Sequence, residues 1–339
     1  MYDLVAIGST TVDAFWKTDF KLISYPKTPS GKALAIPLGE KFGTEDVYYT
    51  LGGNAANASV TFAREGFSTA LFTTIGKGAR GQQVREWLLS EHVDSSHIEE
   101  SSLPTSESVI LLQNGERSII TRHGAINEFH LDSADLDALK ARWWYLSLPG
   151  ESYKALDRLL KYAGENNINV ALNPSWYHLA EKGHKDLMRH LASLSVLVLN
   201  RGEAAQVVGI PFEKKDKVFD KLDELVPGIV VVTGGREGVV VSDGSRRYRA
   251  GIFKESSVVD RTGAGDAFGS GFVAGLFHQK EKCNKGSINP KAVEYAIRLA
   301  SANATSVVER IGSTAGIITA EEFEKDSRWK EFPIESEKI

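Results

Sequence analysis

A chain of 339 residues with 42% hydrophobic and 25% charged side chains has the make-up of a soluble globular protein, long enough for one large α/β domain or two small ones. Its net charge of −4 argues against a nucleic-acid surface, and its one cysteine, Cys283, excludes an intramolecular disulfide or a cysteine-rich metal site. No run of about 18 apolar residues offers a membrane span and no basic leader opens the chain, so a cytoplasmic location is expected.

Leu4–Ile7 is a short apolar run ending at Gly8, the pattern of a buried central strand. The turn that follows runs from Ser9 to Asp13 without a Gly-x-Gly-x-x-Gly spacing, which excludes a nicotinamide or flavin site there. Asp13 reads either as a turn acid or as a carboxylate accepting hydrogen bonds from a polyol. Residues 14–47 hold prolines, scattered glycines and short alternating pieces such as Ala33–Ile36, so small strands outside the main sheet are expected. Gly52-Gly53 then gives a turn of little bulk, and Asn54 and Asn57 share one face at the start of a helix that stops near Gly66. The two amides either turn toward one ligand or merely cap a helix packed through alanines.

Ala70–Ile75 reads as a strand and Gln82–Glu91 as an amphipathic helix. Val109–Gln113 and Ser118–Thr121 flank Asn114-Gly115, a hairpin turn. Arg117 beside it either reaches a substrate or is a solvated strand residue. From 130 to 200 helices at Asp135–Ala141, Ser152–Asn166 and Lys185–Leu194 alternate with strands at Trp143–Leu148, Asn169–Leu172 and Val196–Leu199. Alternation of this length implies right-handed crossovers and a parallel sheet covered on both faces, a doubly wound α/β fold.

Asn200-Arg201-Gly202-Glu203 follows the last of these strands. It reads as a solvated turn or as oxygen ligands that hold Mg²⁺ through water. Ile229–Thr233 leads into Gly234–Gly238, where the glycines either make a tight connection or leave room for a ligand. The P-loop and the protein-kinase motif set are both missing. In the long helix Pro290–Val308, Ser301 and Asn303 suit the border of an adenine, and the chain beyond Glu321 is charged.

The stretch Asp260-Arg-Thr-Gly-Ala-Gly-Asp266 is a turn of almost bare backbone that opens an apolar helix. Unpaired amides and the positive end of the helix dipole favour a phosphate there. An acid at its mouth makes sense as a base that takes a proton from an attacking hydroxyl. The stretch resembles, residue for residue, the second signature of the PfkB (ribokinase-like) family of sugar and nucleoside kinases. Leu51–Val60 resembles the first, and the likeness spans nearly the whole chain.

The resemblance implies a ribokinase-like fold, a mostly parallel doubly wound sheet with helices on both faces. Residues 1–13, 48–105 and 123–330 would form the core, 14–47 and 106–122 a small β lid, and 331–339 a tail. It implies ATP-dependent phosphorylation of a sugar hydroxymethyl group, with Asp266 as general base and the amides of Gly263, Ala264 and Gly265 as anion hole. Asp13, Gly52, Gly53 and Asn57 inherit contact with the acceptor. Asn200, Glu203, Thr233, Gly235 and Gly238 inherit contact with the nucleotide, joined by Asn303 at the adenine, and Glu203 inherits Mg²⁺ through water. Asp260 and Thr262, with the backbone of 307–312, resemble a loop for K⁺, and dimerisation through the lid is implied as well. The family usually carries Asp where Gly78 stands, so no chemistry is assigned there. A nucleoside (adenosine-like) kinase and a catalytically silent sensor are the alternatives, the second having no need of the base. Asp13 and Asn57 suit ribose, fructose, a keto-deoxy acid or a nucleoside alike.

Overall fold

The computed structural model describes residues 1–28, 31–44, 46–113, 115–280 and 288–339, so Asn114 of the expected hairpin turn and Cys283 lie outside the described residues. Strand β1 (Tyr2–Gly8) runs into β2 (Thr11–Lys17), followed by β3 (Lys21–Ser24), β4 (Lys32–Ala35) and β5 (Val47–Gly52). Then come β6 (Thr69–Phe72), β7 (Thr74–Gly76), β8 (Glu99–Ser101), β9 (Glu107–Gln113) and β10 (Glu116–Arg122). The strands end with β11 (Ala141–Ser147), β12 (Asn169–Leu172), β13 (Val196–Asn200), β14 (Ile229–Thr233), β15 (Val239–Ser242), β16 (Arg246–Ala250) and β17 (Ile334–Lys338). Between them lie α1 (Asn54–Arg64), α2 (Ala79–Ser90), α3 (Leu156–Glu165), α4 (Trp176–Leu179) and α5 (Glu181–His190). The later helices are α6 (Arg201–Val208), α7 (Lys215–Leu225), α8 (Ala264–His278), α9 (Pro290–Val308) and α10 (Ala320–Lys325).

Nine strands form one sheet in the order β17-β16-β15-β14-β13-β12-β11-β1-β6. Pairing is parallel from β6 through β14 and antiparallel from β14 to β17. Because successive strand residues face opposite ways, continuous apolar runs bury both faces. Val5, Trp144, Leu146, Val170 and Leu197 pack with Leu159, Leu187 and Phe219 of α3, α5 and α7. Leu4, Trp143, Tyr145, Ala171 and Val198 pack with Phe62, Phe272 and Ile297 of α1, α8 and α9. The adjacent tryptophans therefore serve opposite layers. Helix α8 is buried without interruption from Ala267 to Phe277, which is why its sequence lacks a polar stripe.

Two expectations are corrected. The expected helix Asp135–Ala141 is instead a set of turns that ends where β11 begins at Ala141: Asp135 Oδ1 accepts from the Asp137 and Ala138 amides, and the bonds Leu139 N to Leu136 O and Lys140 N to Asp137 O span three residues. The side chain of Asp135 thus offers the backbone an alternative to a helix. The tail 331–339 is not free of the core, because Ile334–Lys338 pairs with β16 and extends the main sheet.

A second sheet has the order β10-β9-β2-β5, with β3 and β4 paired beside it. It takes in all of Thr11–Lys17 and Val47–Gly52, so Asp13 and Gly52 stand on its strands and not on the main sheet. Among the described residues no helix is long and apolar enough to cross a membrane.

Candidate active site

Helices α1 and α8 start side by side. Gly263 caps α8 with φ of 79°, and a Cβ there would lie 2.5 Å from the Ser313 Cβ, so both the left-handed backbone and the crowding demand glycine. The first bond that returns to the helix start is Ala267 N to Gly263 O at 2.8 Å. The amides of Ala264, Gly265 and Asp266 precede that point, and Ala264 N makes only a long 3.5 Å bond to Arg261 O. They form the donor-rich end that suits an anion.

Asn57 in the first turn of α1 donates its side-chain amide to Asp266 Oδ2 at 2.9 Å. One turn further on, Ser270 Oγ meets Thr61 Oγ1 at 2.8 Å, which keeps the two helices in parallel register. Asp266 is half-buried, with protein crowding closely round its carboxyl, next in sequence to Gly265 of the cavity described below. Burial lifts its pKa to about 6; the Asn57 amide opposes the rise, and the negative charges of Glu203 and Asp13 add to it.

Asp13 is buried on β2 and accepts from Thr11 Oγ1 at 2.8 Å. Burial raises its pKa, Thr11 and Ser108 pull it back, and the charge of Asp260 pushes it up again. Gly52 makes room for this carboxyl, since a Cβ at 52 would come within 2.0 Å of Asp13 Oδ2. Gly53 caps α1 with φ of 94°.

A cavity of about 300 Å³ runs from Ala264, Gly265 and Phe268 to Thr233, Gly235 and Gly238, with Ser301, Ala304 and Thr305 along its wall. Asn200 pairs with Thr233 across β13 and β14. Asn200 and Glu203 cap α6 reciprocally: Glu203 N donates to Asn200 Oδ1 at 2.9 Å and Asn200 N to Glu203 Oε2 at 2.8 Å. Burial raises the Glu203 pKa, and hydrogen bonding to its carboxylate from the Asn200 backbone and side chain opposes the rise. Among the described residues no three His, Cys, Asp or Glu side chains lie close enough to hold a metal directly. Glu203 therefore fits Mg²⁺ only through intervening water. Asp260 is fully buried; Oδ1 accepts from Thr262 N and Oγ1 at 2.9 and 2.7 Å, and Oδ2 accepts from Gly312 N at 3.2 Å. Among the described residues it has no ion pair.

Asn303 does not join the cavity wall. Its amide nitrogen donates to Ala267 O at 2.9 Å and its oxygen accepts from Ile318 N at 3.1 Å, so this side chain ties α9 to α8. Sequence reasoning left Arg117 undecided, and it lines the cavity from β10 beside Arg236 and Arg261. No spacing rule identifies such residues, because strand pairing across the second sheet brings Arg117 there.

A family model described as pfkB family carbohydrate kinase matches residues 29–320. The cytidine kinase of Thermococcus kodakarensis is 28% identical over 319 residues, covering 92% of this chain and 98% of that protein. The ribokinase of Haemophilus influenzae is 24% identical over 294 residues, covering 84% and 89%. The structure of Arabidopsis thaliana ribokinase complexed with ribose and ATP matches 97% of this chain and 99% of its own at a TM-score of 0.75 and 22% identity, so the two share a ribokinase-like fold.

Proposed function

The chain belongs to the pfkB family of carbohydrate kinases, which use ATP to phosphorylate sugars or nucleosides, and we propose that it phosphorylates a hydroxymethyl group of a sugar. The acceptor hydroxyl attacks the γ-phosphorus of ATP in line, its proton passes to the Asp266 carboxylate, and ADP leaves. The single observation that carries this reading is the Asn57–Asp266 bond, which holds a carboxyl of raised pKa beside the open amides of α8. A base poised near working pH, adjacent to donors for the transferred group, is what such a transfer requires.

In this reading Asp13, Gly52, Gly53 and Asn57 form the acceptor side, and Thr233, Gly235 and Gly238 follow the nucleotide along the cavity. Glu203, set by Asn200, would hold Mg²⁺ through water, and its charge offsets that of the phosphates. The loop of Asp260 and Thr262 would hold K⁺. Asn303 is retained as a brace between helices and not as an adenine contact. We assign the second sheet as the lid; the exposed Ile119 and Ile120 on β10 support a dimer contact through it, and a cytoplasmic location completes the proposal. The coverage by a cytidine kinase favours a nucleoside acceptor as the second reading.

ADP release with ATP and a panel of sugars, hexose phosphates and nucleosides tests both readings at once. Turnover with ribose or fructose and none with cytidine or adenosine supports the sugar. The reverse selects the nucleoside, and no turnover with any acceptor refutes the kinase assignment in favour of a silent sensor.

A further inference from the structure

Tyr145 stands on β11 with its side chain fully buried against α1 and α8. Its ring meets Phe62 of α1 edge-on at 5.7 Å. Its sheet neighbour on β12 is the small Ala171, which leaves space for the phenol to reach toward β13. The hydroxyl ends beneath α8: a Cβ on Gly269 would lie 2.7 Å from the phenol oxygen and 3.2 Å from Val198 Cγ1. That oxygen has no hydrogen-bond partner among the described residues. Buried hydroxyls in folded proteins nearly always have a partner, in the protein or in ordered water.

The surroundings show where that partner lies. Gly269 follows Asp266 by three residues, so the two share a face of α8 one turn apart. Val198 leads directly to the Asn200–Glu203 cap at the end of β13. The phenol therefore lies beneath α8 within the field of both carboxyls. Burial holds its proton on, with a pKa raised well above the usual range, and the charges of Asp266 and Glu203 reinforce this. A phenol that never ionises at working pH is a permanent donor. Asp266 has an oxygen to receive one: Oδ2 takes the Asn57 amide, and Oδ1 accepts no hydrogen bond among the described residues.

We propose that Tyr145 is a positioning residue for phosphoryl transfer, its hydroxyl donating through one ordered water to the Asp266 carboxylate from beneath α8. Asn57 holds the same carboxylate from the side, so the two contacts fix the direction in which it faces the acceptor. The proposal rests on Asp266 being the base, as argued above.

Tyr145→Phe removes the hydroxyl and nothing else. With ATP and whichever sugar, hexose phosphate or nucleoside of the panel the wild-type protein phosphorylates, kcat is expected to fall by about tenfold, the loss of one water-relayed bond to a charged group. KM for ATP and for the acceptor should stay within about twofold, a split that a merely structural role does not produce. A kcat within twofold of wild type, or a loss confined to KM, overturns the proposal. Gly269→Ala guards against misfolding as an explanation, because its methyl would crowd the phenol oxygen. It should lower kcat in the wild-type background and add little on top of Tyr145→Phe; an equal loss in both backgrounds overturns the proposal. If the wild-type protein phosphorylates no acceptor of the panel, hexose phosphates included, the kinase reading fails and this inference fails with it.

Discussion

Asn57 and Asp266 lie 209 positions apart in the chain, yet the amide of one donates to the carboxylate of the other at 2.9 Å. The bond joins the first turns of α1 and α8, each of which follows a glycine in a left-handed or positive-φ cap, Gly53 and Gly263. In the proposed reading it also links the acceptor side, where Asp13 lies buried, to the phosphate side.

Asp266→Asn should lower kcat by roughly 10²–10⁴ while leaving ATP affinity nearly unchanged, because the amide cannot take the acceptor proton. The same change should stabilise the fold in a pH-dependent way. Burial raises the Asp266 pKa to about 6, so the folded state favours the protonated acid. That contribution is fully present below the ordinary carboxylate range, about pH 4, and is lost as pH rises through about 6. The variant should therefore be more stable than wild type at pH 8 by on the order of 1–2 kcal/mol, a figure discounted for the solvent that reaches the group, and little different near pH 4. Thermal melts at the two pH values decide it; equal shifts at both would contradict the raised pKa.

The activity of the wild-type protein should follow the ionisation of the same group. The base must be charged to accept a proton, so kcat/KM should climb tenfold per unit below about pH 6 and level off above it. Asn57→Ala removes the hydrogen bond that favours the charged carboxylate, and the limb should move to higher pH. An unchanged limb in the variant would separate Asn57 from the titration of Asp266.

Much of this was legible in the sequence, for reasons that differ from element to element. The glycine-framed starts of α1 and α8 are local: turn, cap and acid follow one another within a few residues. The parallel sheet is legible because its crossovers repeat apolar strand and amphipathic helix. Asn200-x-x-Glu203 read only as a solvated turn or as metal ligands, and the structure makes it a capping box whose carboxylate charge still acts on Asp266. Asn303 looked like a ligand contact because an amide on a small-residue helix suits one; its bonds to Ala267 and Ile318 depend on how α9 packs, which spacing does not encode. Asp135–Ala141 failed as a helix because one side-chain cap outweighs propensity in seven residues. β17 was missed since an exposed edge strand has no apolar alternation to betray it.

Gly52→Ala tests the acceptor side alone. The methyl would fall within 2.0 Å of Asp13 Oδ2, so the carboxyl must swing away or the strand must move. KM for the acceptor should rise on the order of tenfold or more, since one misplaced hydrogen bond to a charged group costs about 1.5–3 kcal/mol. KM for ATP should hold, because the cavity wall from Thr233 to Gly265 is untouched. Parallel losses in both constants would show that Gly52 supports the whole fold and not Asp13.

Arg117 reaches the cavity from β10 of the second sheet, while the neighbouring Glu116 pairs with Arg261 of the segment leading to α8 at 3.9 Å. Among the described residues Arg117 has no ion pair, so its charge is available to a phosphate. On the proposed assignment of the second sheet as lid and of the cavity as nucleotide site, an Arg117 contact to ATP would couple closure to nucleotide binding. Arg117→Ala should raise KM for ATP by roughly tenfold, the worth of one charge-assisted hydrogen bond. Arg117→Lys should recover only part of that loss, because a point charge lacks the planar fork of a guanidinium. Steady-state kinetics at varied ATP, with the acceptor saturating, supply the comparison. An Arg117→Ala variant with unchanged KM for ATP would leave this side chain a solvated residue on a strand edge.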